Sequence, residues 1–371
     1  MIYKDFLEGR SVSAVGLGGH YTAWDTGRYE YRTGYIDPDE IPRRTKWIEK
    51  ALDAGINFFD TTWRSEVEMF SKSILPLAGR RDEMIVNSMV LGAFTGPNYF
   101  NRDLIEYFEE GIDWRLKQIP GGYFDTFMVN CVEEEYEEKG FEKLIRLLET
   151  RKARGDIGAI GISSHIPYFA RKLANQFPEL EVILIPYSFH NRALERAFAD
   201  YTGNAKLIAM KSLVWDKYGV PFCTLNDLPD PKISLGIEPV RDIVSHAISW
   251  VIQNPKLAVC ITSVNAETEL DELIHATEIS PDIESLTAYK DALIADRGLI
   301  YNLSSLNADP KNSRAQFFAL KIAAGKLGVP YPFNETTSLD EYKFGQEDFD
   351  ALREAIYERI ETLGLGRYLK K

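Results

Sequence analysis

Ile56-Asn57-Phe58-Phe59-Asp60 is the stretch on which the fold turns: a short, mostly apolar run closed by a carboxylate. It is too short for a helix and too apolar to leave one face in water, so it reads as a buried strand. Working outward, seven more runs of this kind appear: Val12 to Gly16, Met84 to Asn87, Phe124 to Asn130, Gly158 to Ser163, Val182 to Pro186, Leu207 to Met210 and Leu257 to Thr262. Between them lie segments of helical period, such as Arg44 to Ala54, Leu104 to Lys117, Phe141 to Arg154 and Val240 to Gln253. Apolar strands joined by helical crossovers make a parallel sheet covered by helices. Eight such units imply an α/β fold, a (β/α)8 TIM barrel, with an open doubly wound sheet as the alternative. Gly16-Leu17-Gly18-Gly19-His20 lacks the GxGxxG register after the first strand, which counts against the open sheet.

The chain has 371 residues, 45% hydrophobic and 27% charged, with a net charge of −13. That acidity, with no basic block to offset it, excludes nucleic acid and anionic membrane surfaces as natural partners. The longest apolar runs, Val182 to Pro186 and Leu257 to Ile261, are strand-sized and far below the ~20 residues of a membrane span. Met1 to Phe6 holds no apolar signal core. Cys131, Cys223 and Cys260 lie far apart without CxxC spacing, which fits a reducing cytosol and excludes an iron–sulfur cluster held by this chain alone. The expectation is a cytoplasmic enzyme acting on a small molecule, without a metal. Two segments interrupt the repeat, Tyr21 to Pro42 and the proline-rich Val214 to Pro239, and both read as long loops after strands. Past Ala295 the strand pattern stops, and Arg314 to Leu327 and Gln346 to Leu363 are helical in period. The expected organisation is a barrel over residues 1–295 and a helical extension over 296–371 packed on it.

A barrel of this kind carries function at the C-terminal ends of its strands. Asp60 ends the second strand and Lys211 follows the seventh, so both point to the mouth, where they read as functional groups forming an ion pair with shifted pKa values or as a structural salt bridge closing the barrel top. His165 follows Ser163 and Ser164, and reads as a general acid/base or as a cap for the helix starting near Pro167. His20 and the possible phenol donor Tyr21 follow the first strand. Cys131 lacks a visible partner base, and the acidic run Glu133 to Glu135 with Glu137 and Glu138 reads as a solvated face. Trp24, Tyr35, Trp63 and Trp215 suit stacking on a ring or sugar, or simply fill their loops.

Val15-Gly16-Leu17-Gly18, Ala54-Gly55-Ile56-Asn57-Phe58-Phe59-Asp60-Thr61, Gly158-Ala159-Ile160-Gly161-Ile162-Ser163-Ser164, Ala209-Met210-Lys211-Ser212-Leu213 and Ile261-Thr262-Ser263-Val264 occur in that order. In order and spacing they resemble the strand motifs of the aldo/keto reductase superfamily, from Val12 to about Ala276. The resemblance implies carbonyl reduction with a nicotinamide cofactor and no metal. A tyrosine donates the proton, a lysine and an aspartate lower its pKa, and a histidine orients the substrate.

The chain departs from that pattern at the chemistry. Asp60 is kept, but Asp60-Thr61-Thr62-Trp63-Arg64-Ser65-Glu66 reaches Ser-Glu three residues early, without the tyrosine. Asn87-Ser88-Met89 stands where the lysine belongs, and Asn130 takes the histidine position. Ser163, Ser164, Ser212, Leu213, Ser263 and Asn265 match cofactor-binding positions, while Leu184 and Met210 replace a glutamine and a stacking aromatic. From Thr262 to His275 there is no Lys or Arg, and Glu267, Glu269 and Asp271 would repel a 2′-phosphate, so NADPH is disfavoured against NADH. Three functions stay open: an oxidoreductase using NAD(P) with a proton donor rebuilt from Tyr21 or His165 and Lys211; a lyase, dehydratase or epimerase with Asp60, Arg64, Asn130, His165 and Lys211 as acid/base groups; and a non-catalytic binding protein.

Overall fold

The computed structural model describes residues 1–19, 38–90, 103–130, 138–189, 191–213, 242–264, 266–294 and 346–362. A short hairpin comes first, β1 (Tyr3–Leu7) and β2 (Arg10–Ser13). Eight strands follow: β3 (Val15–Gly18), β4 (Phe58–Thr61), β5 (Ile85–Val90), β6 (Phe124–Val129), β7 (Ile157–Ser163), β8 (Val182–Pro186), β9 (Lys206–Met210) and β10 (Leu257–Ser263). They close into a barrel in the order β10-β3-β4-β5-β6-β7-β8-β9, with every neighbouring pair parallel. This is the closed alternative of the two the sequence left open.

The helices are α1 (Glu40–Asp53), α2 (Arg64–Ile74), α3 (Leu104–Gln118), α4 (Glu138–Ala153), α5 (Pro167–Gln176), α6 (Ala193–Ala197), α7 (Ile243–Ile252), α8 (Glu267–His275), α9 (Ile283–Ile294) and α10 (Gln346–Thr362). In α1 the buried positions Arg44, Trp47, Ile48, Ala51 and Leu52 fall at the spacing of one helical face, which is why this segment lies against the sheet. Asp103 starts α3 by accepting the Ile105 and Glu106 N–H groups at 2.9 and 3.1 Å. By its internal contacts the chain divides into one unit of Met1–Ser212 with Ser245–Pro281, which holds the barrel, and another of Leu213–Val244 with Asp282–Lys371, whose described elements include α9 and α10. No helix among the described residues is long and apolar enough to cross a membrane.

Several expected boundaries move. The run Val12 to Gly16 is two strands, because β2 ends at Ser13 and β3 begins at Val15; the first half belongs to the hairpin. The expected loop Tyr21 to Pro42 ends earlier, since Glu40 already opens α1. The third strand runs past Asn87 to Val90, so Asn87 is inside the barrel wall and not at its rim. Asn130 lies just beyond β6. The segments Val214 to Pro239 and Arg314 to Leu327 fall outside the described residues.

The hairpin closes the N-terminal end of the barrel. Phe6 and Val12 join the inner cluster with Phe58, Ile85, Met128 and Val259. The Lys4 ammonium donates to the carbonyls of Ile252, Asn254 and Leu257 at 2.6, 3.1 and 2.8 Å. At the same end Asp125, at the start of β6, pairs with Arg10 and with Arg81 at 3.1 Å and accepts the Val86 N–H at 2.8 Å. These charges stand at the end of the barrel that supports stability, so the chemistry belongs at the other.

Candidate active site

Asp60 and Asn87 are register partners on β4 and β5, and Asn87 and Thr126 are register partners on β5 and β6. Asp60 stands two residues after Phe58, Asn87 stands two from both Ile85 and Met89, and Thr126 stands two before Met128, all of the inner cluster, so all three share the inward face. Asn87 Nδ2 donates to Asp60 Oδ1 at 2.5 Å, and the Thr126 hydroxyl donates to Asn87 Oδ1 at 2.6 Å. Thr61 adds a bond to the Asn87 carbonyl at 2.8 Å. Asn87 and Thr126 are 0% exposed and Asp60 is 6% exposed, so this polar row is buried along its length. Sequence reasoning places neither Asn87 nor Thr126 in a working set. The signal available is two polar residues at inward positions of apolar strands.

The connection from β4 to α2 is Thr62 and Trp63 alone, since β4 ends at Thr61 and α2 begins at Arg64. Glu66 closes it by accepting the Thr62 and Trp63 N–H groups at 2.8 and 3.2 Å. Arg64 is directed into the helical layer, its guanidinium 5.1 Å from the Trp114 ring of α3. Arg115 lies behind it, 3% exposed, donating to the Gly111 and Thr62 carbonyls at 3.1 and 3.0 Å. Burial, reinforced by the charge of Arg64, pushes the Arg115 pKa down to about 10.

Lys211 follows β9 directly and holds a φ of 56°, a left-handed conformation that non-glycine residues adopt at a cost of about 1–2 kcal/mol. In the closed order β10 and β3 stand between β9 and β4, and Lys211 and Asp60 belong to the C-terminal end of the same barrel. Asn130 is buried beyond β6, with its amide 2.8 Å from Met89 Sδ. His165 is half-buried in the turn between β7 and α5. Tyr21 and His20 lie outside the described residues, as do Cys131, Trp24, Tyr35 and Trp215.

Among the cofactor candidates, Ser163 ends β7 and is buried. The Ser164 hydroxyl is engaged in its own turn, accepting the Ile166 N–H at 3.1 Å and lying 3.4 Å from the Ile166 carbonyl. Ser263 pairs with Gly18 across β10 and β3, and a Cβ on Gly18 would come within 2.9 Å of Ser263 Oγ, so glycine leaves the space at this edge. Ser212 is buried, and its hydroxyl and that of Thr262 approach the Cys260 thiol without meeting hydrogen-bond geometry. Leu213 groups with the second unit, and Asn265 lies outside the described residues.

The charge around the start of α8 differs from its reading in sequence. Glu267 and Asp271 are bound by Lys50 of α1 at 2.9 and 2.7 Å. Arg43, Lys46 and Trp47 of α1 line a cleft of ≈ 410 Å³ together with Ala266 and Glu267. Arg44 donates to the Val264 carbonyl at 2.7 Å. The segment from Thr262 to His275 is therefore without cations only along the chain; α1 brings four to it.

The model of the aldo/keto reductase family matches residues 16–210. The chain belongs to that family. Aldo/keto reductases also share its fold among solved structures: a thermostable aldo-keto reductase, Tm1743, crystallised with the inhibitor epalrestat, is 18% identical over 79% of this chain and 100% of its own, with a TM-score of 0.56. The aldo-keto reductase AKR11C1 from Bacillus halodurans matches in its holo form at 16% identity and a TM-score of 0.56, over 79% of this chain and 96% of its own. Its apo form gives 15% identity and a TM-score of 0.55 over the same shares. At these identities the likeness carries the fold. Membership carries the reaction class, an oxidoreductase.

Proposed function

We propose that this aldo/keto reductase acts on a carbonyl or hydroxyl of a polar, sugar-like small molecule with a nicotinamide cofactor. The observation that carries the reading is the Asp60 carboxylate, inward at the end of β4 and kept at the place where the family holds its catalytic aspartate. The cofactor, when bound, supplies or accepts the hydride. Arg43 and Lys46 would hold its phosphate-bearing end, and the built cleft beside the start of α8 supports that fit. With these cations present, the reason for preferring NADH over NADPH falls away. Ser163, Ser212 and Ser263 are the polar groups offered along the rest of its path. Lys211 supplies the cation of the site in place of the missing lysine, its strained backbone being of the kind tolerated where a side chain must be aimed. Tyr21 or His165 donates the proton. The division into a barrel over 1–295 and a helical extension over 296–371 belongs to the same proposal.

One set of observations favours a second reading, a lyase, dehydratase or epimerase using Asp60, His165 and Lys211. Leu184 is buried and Met210 packs on the inner cluster, so the barrel interior is apolar where the family makes polar and stacking contacts to the nicotinamide. The Ser164 hydroxyl is occupied in its turn. Fluorescence titration with NADH and with NADPH separates the two readings. Saturable binding of either supports the reductase, and no change at millimolar concentration of both overturns it in favour of the second. In the binding case, Asp60→Ala and Lys211→Ala should each abolish turnover, and an unchanged rate in Lys211→Ala removes that lysine from the mechanism.

A further inference from the structure

The row Thr126, Asn87, Asp60 has a direction that follows from its chemistry. An ionised carboxylate only accepts hydrogen bonds, so the Asn87 group facing Asp60 must be the amide N–H. The other end of the same side chain is then a carbonyl oxygen, which needs a donor, and the Thr126 hydroxyl is the group 2.6 Å away. Each bond sets the next. The next inward pair toward the mouth, Met89 and Met128, is fully apolar and buried, as is Ala159, the register partner of Thr126 on β7. We propose that Thr126 and Asn87 are positioning residues: the threonine locks the amide, and the amide holds the Asp60 carboxylate in one orientation at the barrel mouth. The role rests on the reading of Asp60 as part of the catalytic site.

Two measurements on the full chain test it. In 15N-labelled protein the Asn87 side-chain amide is identified by its loss in Asn87→Ala. Its bonded proton should lie downfield and shift as Asp60 titrates, a dependence absent in Asp60→Asn. Thr126→Val should remove the downfield signal and lower kcat by at least about tenfold with little change in KM, using glyceraldehyde and NADPH as probes. Thr126→Ser, which keeps the hydroxyl and sacrifices the methyl, should restore both even if it melts earlier. A Thr126→Val spectrum identical to wild type, or Thr126→Ser behaving as Thr126→Val does, overturns the relay. The spectra need no substrate, so they decide the relay whether or not glyceraldehyde is turned over. Undiminished turnover in Asp60→Asn overturns the catalytic reading of Asp60 and the positioning role with it. An inactive Asp60→Asn beside an unaffected Thr126→Val overturns the relay alone.

Discussion

Replacing Asn87 by leucine should invert the effect of a second substitution two strands away from Asp60. In the wild-type protein Asn87 makes a bond to a carboxylate at 2.5 Å and accepts one from Thr126 at 2.6 Å. Losing the charged bond costs about 1.5–3 kcal/mol, and the stranded Thr126 hydroxyl adds about 1 kcal/mol. The extra apolar surface of leucine returns about 1 kcal/mol, leaving a net loss of roughly 1.5–3 kcal/mol. At about 2.1 cal/mol/K per residue, a unit of roughly 250 residues then melts about 3–6 °C lower. Thr126→Val alone leaves the Asn87 carbonyl oxygen without its donor and should cost about 1–2 kcal/mol. On the Asn87→Leu background the hydroxyl has lost its acceptor, so the same Thr126→Val change should stabilise by about 1 kcal/mol. Urea denaturation of wild type, both single variants and the double variant measures this cycle, with a coupling of about 2 kcal/mol or more expected. Thr126→Val destabilising both backgrounds equally would refute the reasoning, since the two side chains would then not share a bond worth measuring.

Other outcomes follow from single features. Lys211→Gly should raise Tm by about 1–3 °C while turnover falls, because relief of the left-handed φ of 56° outweighs the entropy glycine adds to the unfolded chain; a fall in both would show that the backbone is not strained. Arg43→Gln combined with Lys46→Gln should weaken NADPH binding about tenfold and NADH binding less, read by fluorescence titration, and an equal effect on the two would place the 2′-phosphate elsewhere. Burial pushes the Cys260 thiol up to about 11, against the opposing pull of Ser212, Thr262 and Lys4. Peptide mapping after alkylation at pH 8 should find Cys260 unmodified in the folded protein and modified in urea. The unfolded thiol loses its proton first as pH rises, so between the ordinary value of 9.0 and about 11 this group withdraws stability; a flat stability curve over that window would contradict it.

The barrel was legible because its strands are apolar on both faces and bounded by polar residues, a pattern that local composition carries whole. Asp60 was legible for the same reason: a carboxylate closing an apolar strand is costly to desolvate, so it stands where a partner or a task holds it. Asn87 was misplaced by the same rule, because a polar side chain in the middle of β5 imitates the end of a strand. Only pairing in register with Asp60 and Thr126 accounts for its being tolerated there. Arg64, placed by its number close to Asp60, turns toward Trp114 because a two-residue connection puts it on the first turn of α2.

By itself the sequence determined the eight apolar strands with helical segments between them and the polar residues that close those strands, Asp60 among them, since each is a property of neighbouring residues along the chain. Only the tertiary structure decided which charges meet. Glu267 and Asp271 look repulsive to phosphate until Lys50, Arg43 and Lys46 arrive beside them from α1, with Lys50 and Glu267 standing 217 positions apart in the chain. Electrostatic interaction depends on distance through space and on burial, and neither quantity is written in the order of the residues.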